Sequence, residues 1–137
     1  MAVPTLRQRH GRRGERLVAD RLGAAGWTIL GQGVRVGRDE IDLVAIDPGP
    51  PPTLVFVEVR SVATTRFGLP EESVDRAKVR HAYRAAMTLR ATGRLPEGTP
   101  LPRLRWRIDL VSVEDRPSLG RDLGGPIIRH LRELRAD

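Results

Sequence analysis

The chain has 137 residues, 24 basic against 17 acidic, and no cysteine. That is the size of one ordinary domain that can bury a core unaided, and it excludes disulfides, thiolate metal sites and cysteine nucleophiles. The formal charge of +7 points to polyanions, nucleic acid first, although an arginine-biased composition would also produce it: Lys78 is the one lysine.

Thr5 to Ala25 is predicted as a helix, with Leu17, Val18, Leu22 and Ala25 at helical spacing and Arg12, Arg13, Arg16 and Arg21 mostly off that stripe. Gly26 suits its C-terminal cap. Trp27 to Arg35 reads as a weaker strand, interrupted by Gly31 and Gly33. Glu40 to Asp47 is a short strand, and Pro48 to Pro52 a turn. Leu54 to Arg60 is the clearest strand, with Val55, Val57 and Val59 on one face and Leu54, Phe56, Glu58 and Arg60 on the other. Both faces are apolar until Glu58, as in a strand covered on both sides.

Ser61 to Leu69 is a polar loop. A second helix is expected from about Pro70 to Thr92, with Val74, Ala77, His81, Ala85 and Leu89 inward, so that His81 reads as a core residue. Leu104 to Val113 is a further strand, and Pro126 to Arg135 a short closing helix with Pro126 in its first turn. No repeat or linker divides the chain, so residues 1–137 form one α/β domain, a mixed β-sheet flanked by helices in the order α-β-β-β-α-β-α.

No run reaches the roughly 20 apolar residues of a membrane span. Met1 to Gly14 is arginine-rich without an apolar core, which argues against a secretory signal; an organellar presequence fits its composition, but Glu15 onward reads as folded domain. A cytoplasmic location is expected. The histidines His10, His81 and His130 are too scattered for a histidine-built metal site. With five aromatic residues in all, contact with a duplex or branched backbone is favoured over base stacking on single strands.

The carboxylates in the strands are the anomaly. An unpaired buried charge costs several kcal/mol or more, yet Asp42 lies between Ile41 and Leu43, and Glu58 between Val57 and Val59. Adjacent strands joined by the proline turn would set both acids at one sheet edge. Glu15, beside the apolar stripe of the first helix, could lean over the same spot. Two explanations stand side by side: a divalent cation held by hard oxygen ligands, and structural pairs with some of the many arginines.

The segments Gly14-Glu15, Glu40-Ile41-Asp42-Leu43-Val44-Ala45 and Val55-Phe56-Val57-Glu58-Val59-Arg60 resemble those of the YraN-like family of restriction-endonuclease-like proteins. That family falls in the wider PD-(D/E)xK nuclease superfamily and is similar in pattern to archaeal Holliday junction resolvases. The likeness continues through Phe67-Gly68, Pro70 to Val74, Lys78 and Trp106 to Val111. It implies a restriction-endonuclease-like sheet with Glu15, Asp42 and Glu58 as metal-site residues. The implied chemistry is Mg2+- or Mn2+-dependent cleavage of DNA phosphodiesters, on branched or damaged DNA by analogy, and a homodimer is the analogous assembly.

Arg60 departs from the superfamily pattern, which has a lysine two residues after the acid. Arginine is always protonated and cannot act as a base, though it can still offset transition-state charge. A non-catalytic nucleic-acid-binding module with a degenerate site is therefore the alternative. Lys78 is either a solvated helix lysine or a replacement that reaches the site from the second helix. Arg12, Arg13, Arg66, Lys78 and Arg107 are the expected nucleic-acid contacts, with Asp109 an alternative ion-pair partner for Arg107.

Overall fold

The computed structural model describes residues 6–62, 76–114 and 126–135, with side chains from Arg12 onward except that of Val62. Helix α1 runs Leu6–Ala24. It ends in a Schellman motif: Gly26 N–H bonds to Gly23 O and Trp27 N–H to Leu22 O, both at 3.0 Å. Gly26 carries the left-handed φ of 95° that this cap requires. The accompanying apolar contact comes from Trp27 and Leu22, which pack in one cluster.

Three strands follow: β1 Thr28–Val36, β2 Asp39–Asp47 and β3 Thr53–Val62. Helix α2 spans Arg76–Thr92, then come β4 Arg105–Glu114 and β5 Ile127–Leu131. The sheet order is β1-β2-β3-β4-β5. All neighbours are antiparallel except β3 and β4, which run parallel because α2 forms the crossover between them.

The sheet is covered on both faces, as the doubly apolar β3 requires. Leu54, Phe56 and Ile108 pack with Ala82, Ala85, Ala86 and Leu89 of α2. Val55, Val57 and Val111 pack with Val18, Ala19 and Leu22 of α1. Ile41 joins the first cluster and Leu43 the second. Residues i and i+2 of a regular strand share a face, so β2 rotates about Asp42.

Two expectations are corrected. The closing helix expected over 126–135 is a strand instead: Ile127–Leu131 pairs with β4 in the register Leu110↔Leu131 to Glu114↔Ile127. The Pro126 signal gave way to two β-branched residues and to the β4 edge, which would otherwise expose a row of unpaired peptide groups. His81, expected in the core, is exposed. The buried face of α2 is Val79, Ala82, Ala85, Ala86 and Leu89, which rotates His81 outward toward Asp39.

Among the described residues, no helix is long and apolar enough to cross a membrane.

Candidate metal centre

Asp42 stands where β2 and β3 part. Their ladder runs from Asp47↔Thr53 to Leu43↔Val57. Beyond it the Asp42 carboxylate accepts the Val59 N–H at 2.8 Å, where a strand carbonyl would otherwise serve. Glu58 follows Val57 at the end of that ladder, near enough for the Asp42 charge to act on it.

Glu15 is brought to them by a close approach of α1 to β3. A methyl group added at Gly14 would meet the Ser61 hydroxyl and lie 3.7 Å from Val59. Alanine there needs only a rotation of the Ser61 side chain, but a branched residue has no such room. Gly14→Val should lever α1 off the sheet, cost about 1–3 kcal/mol and weaken divalent-cation binding as Glu15 withdraws. Chemical denaturation and a Mn2+ titration of the variant check both effects.

Glu15, Glu40 and Asp42 each offer a carboxylate oxygen, and these atoms lie within 4.8 Å of one another. Glu58 adjoins this group closely enough for its charge to be felt with theirs. Of the three acids expected from the sequence, two therefore meet directly and the third flanks them. Glu40 was missed as a member. Its signal was the alternation Glu40-Ile41-Asp42, which puts two acids at i and i+2 of one strand.

The electrostatics separate this cluster from the other acids. Burial, then Asp42 and Glu40, push the Glu15 carboxyl up to about 8, against a partial pull from Arg12. Burial, then the Asp42 charge, does the same to Glu58, again to about 8, and Lys78 offsets part of it. Asp42 is raised by burial, despite the Val59 N–H and a hydrogen bond from Glu15.

Elsewhere arginines pull carboxylates down. Asp39 is held below its usual range by two bonds from Arg84, at 2.9 and 2.7 Å. Asp109 is fully buried, but His130 Nε2 at 2.8 Å, Arg107 Nε at 2.9 Å and Glu133 N–H at 2.9 Å outweigh that burial and keep it low. Asp47, likewise buried, is held down by Arg107 Nη2 at 2.7 Å and by the Gly49 N–H. Structural ion pairs thus exist in this fold, but around Glu15, Asp42 and Glu58 no cation among the described residues offsets the cost of ionising them together, and their affinity for protons is raised instead. Three carboxylates that can converge on one point, with Glu58 beside them, are a hard-oxygen donor set of the kind that suits a divalent cation such as Mg2+ or Mn2+.

Some of the expected cationic residues lie near this centre and others do not. Arg12 and Arg13 are exposed on α1, just before Glu15. Arg60 lies two residues after Glu58 and lines a pocket of about 150 Å³ with Glu58 and Lys78. Lys78 is exposed on α2 and also borders an open cleft of about 170 Å³ with Arg38, Glu40, Glu58 and His81. Arg107 is not at the cluster. It lies on the α1 side of the sheet, bonded to Asp47 and Asp109 with its guanidinium 5.6 Å from the Trp27 ring centre. Arg66 lies outside the described residues.

Comparison with known proteins places a match to the uncharacterised protein family UPF0102 over residues 14–113. The chain is 40% identical over 110 residues to a UPF0102 protein of Symbiobacterium thermophilum, covering 80% of this chain and 86% of that one. It is 35% identical over 125 residues to one of Desulfosudis oleivorans, covering 90% and 89%. A third, from Paenarthrobacter aurescens, is 36% identical over 132 residues, covering 96% and 98%. The matched span contains Glu15, Glu40, Asp42, Glu58 and Lys78.

Proposed function

Since the chain belongs to the uncharacterised protein family UPF0102, whose description names no activity, we propose from the site itself that the protein is a divalent-cation-dependent endonuclease acting on DNA. The carrying observation is the contrast between acids. Arginine-paired Asp39, Asp47 and Asp109 are satisfied, whereas Glu15, Asp42 and Glu58 are crowded, half-buried and held high. Such a centre is costly unless it has a use, and perturbed carboxylates gathered at a cleft are the physical mark of one.

Asp42, with Glu15, Glu40 and Glu58 around it, would hold the cation. When bound, Mg2+ or Mn2+ supplies a Lewis acid that offsets phosphate charge and acidifies a water. The reaction consumes one water: its oxygen bonds to phosphorus as the bond to the leaving oxygen breaks. Its two hydrogens end on the new phosphate monoester and the leaving hydroxyl. Glu58, beside Asp42 and lining the cleft, would help hold the cation and orient the water. Arg60, as an arginine, cannot serve as the base and would instead stabilise negative charge.

The basic balance of +7 and the exposed Arg12 and Arg13 before Glu15 support a DNA backbone as the substrate, met in the cytoplasm. With few aromatic rings to stack single strands, branched or damaged duplex is the substrate class to test first, and a homodimer would present two such sites to two strands.

The test is incubation of the protein with Mn2+ or Mg2+ and branched, duplex and single-stranded DNA. Cleavage is expected, lost in Glu58→Ala. Salt-sensitive binding with no cleavage under any metal would instead favour the binding module with a degenerate site. Neither binding nor cleavage would sink both.

A further inference from the structure

Phosphodiester cleavage leaves negative charge on phosphate oxygens, and a cation set beside the acidic centre is needed to meet it. Arg60 is the obvious candidate by position, two residues past Glu58 on the same strand. The structure directs attention to α2 instead. Lys78 borders both cavities that meet at Glu58: the open cleft with Arg38, Glu40 and His81, and the pocket with Arg60, Ile108 and Leu110. It is near enough for its charge to act on Glu58 and Asp42 together, whereas the cation acting on Glu15 is Arg12. It is exposed, so its ammonium can turn toward a bound anion at little desolvation cost. In a chain whose other basic residues are all arginine, this is the one position with a compact, three-donor point charge on a flexible stem.

We propose that Lys78, presented by α2 rather than by the sheet, is the phosphate-engaging cation of the Glu15–Glu40–Asp42–Glu58 centre. This rests on the nuclease reading above. Lys78 pairs with the phosphate oxygens as the bond to the leaving group breaks, so Arg60 need not supply that charge.

Two measurements on Lys78→Gln, Lys78→Arg and a control, Arg80→Gln on an exposed neighbouring position, test the proposal. The first needs no turnover. Removing a cation beside the acids should tighten Mn2+ binding roughly threefold or more in Lys78→Gln. Lys78→Arg and Arg80→Gln should leave it near wild type. The second is cleavage of branched duplex DNA with Mn2+, expected to fall roughly 100-fold in Lys78→Gln, to recover in part in Lys78→Arg, and to be unmoved in Arg80→Gln. Unchanged Mn2+ affinity in Lys78→Gln overturns the placement of Lys78 at the centre. Wild-type cleavage by Lys78→Gln, with Glu58→Ala dead, overturns its role on phosphate. A wild-type protein that cleaves nothing, yet binds Mn2+ more tightly on loss of Lys78, keeps Lys78 at the centre and places the failure on the nuclease reading.

Discussion

Glu58→Gln is expected to lose DNA cleavage by roughly 10²–10³-fold while making the metal-free protein more stable, not less. The two effects share one cause. Burial and the Asp42 charge hold the Glu58 carboxyl at about 8, and burial with Asp42 and Glu40 does the same to Glu15. In the unfolded chain these groups titrate near 4.5. Between those values the folded state binds more protons than the unfolded one, so stability falls as pH rises from about 4.5 to about 8 and stays low above that. Below about 4.5 both states are protonated and the penalty is absent.

A neutral glutamine in place of Glu58 removes its share of that penalty and lessens the repulsion on Asp42. The pH dependence of the metal-free thermal midpoint should flatten, with the variant melting roughly 5 °C above wild type at the alkaline end. Circular dichroism melts across this range, in chelator, give the curve. A wild-type midpoint that rises with pH over the interval would contradict the electrostatics of the centre. Saturating Mn2+ should reverse the order of the two proteins, because wild type then gains a ligand that the variant holds poorly.

Asp109→Ala should produce the largest loss of stability, about 3–5 kcal/mol, with no direct effect on metal binding by the folded fraction. Asp109 is fully buried and accepts from Arg107, His130 and the Glu133 N–H. Its carboxylate is held low, so it is ionised and His130 Nε2 is the donor in that pair. Removing it strands a half-buried guanidinium and a backbone N–H, and leaving one partner of a buried pair costs more than the pair contributes. Asp47 still holds Arg107 at 2.7 Å, which sets the loss at the lower end if Arg107 swings toward it. Asp109→Asn, which keeps acceptor capacity, should lose markedly less. Urea denaturation of the three proteins measures the series. A near-neutral Asp109→Ala would mean that solvent reaches this network.

The strands were legible because β3 is apolar on both faces and because glycines and prolines punctuate its neighbours. The helix caps were legible too: Gly26 does what a left-handed cap glycine does. Local pattern failed where a distant partner decided the outcome. Pro126 gave the segment to Arg135 a helix-start signal, but the open β4 edge recruits Ile127–Leu131 as a strand. His81 shares a stripe with Ala85 and Leu89 when spacing alone is counted, yet the helix is turned by Val79, Ala82 and Ala86.

At the site, Glu15, Asp42 and Glu58 stood out as charges among apolar neighbours. Glu40 did not, since it sits at the start of its strand, where an acid looks like solvated turn. Whether the acids were metal ligands or arginine partners was undecidable from order alone, because Arg107 meets Asp47 across 60 residues of chain. The fold gives arginines to Asp39, Asp47 and Asp109 and leaves the acids at Asp42 with raised proton affinity, which supports the cation reading.

The most direct test of that division is a Mn2+ titration of the thermal midpoint above about pH 8, on wild type and Asp42→Asn. Asparagine keeps an oxygen for the Val59 N–H and removes the central charge. Wild type should gain roughly 5 °C or more at saturation, and Asp42→Asn should gain almost nothing. An unmoved wild-type midpoint, or an equal shift in both proteins, would contradict a cation centre at Asp42.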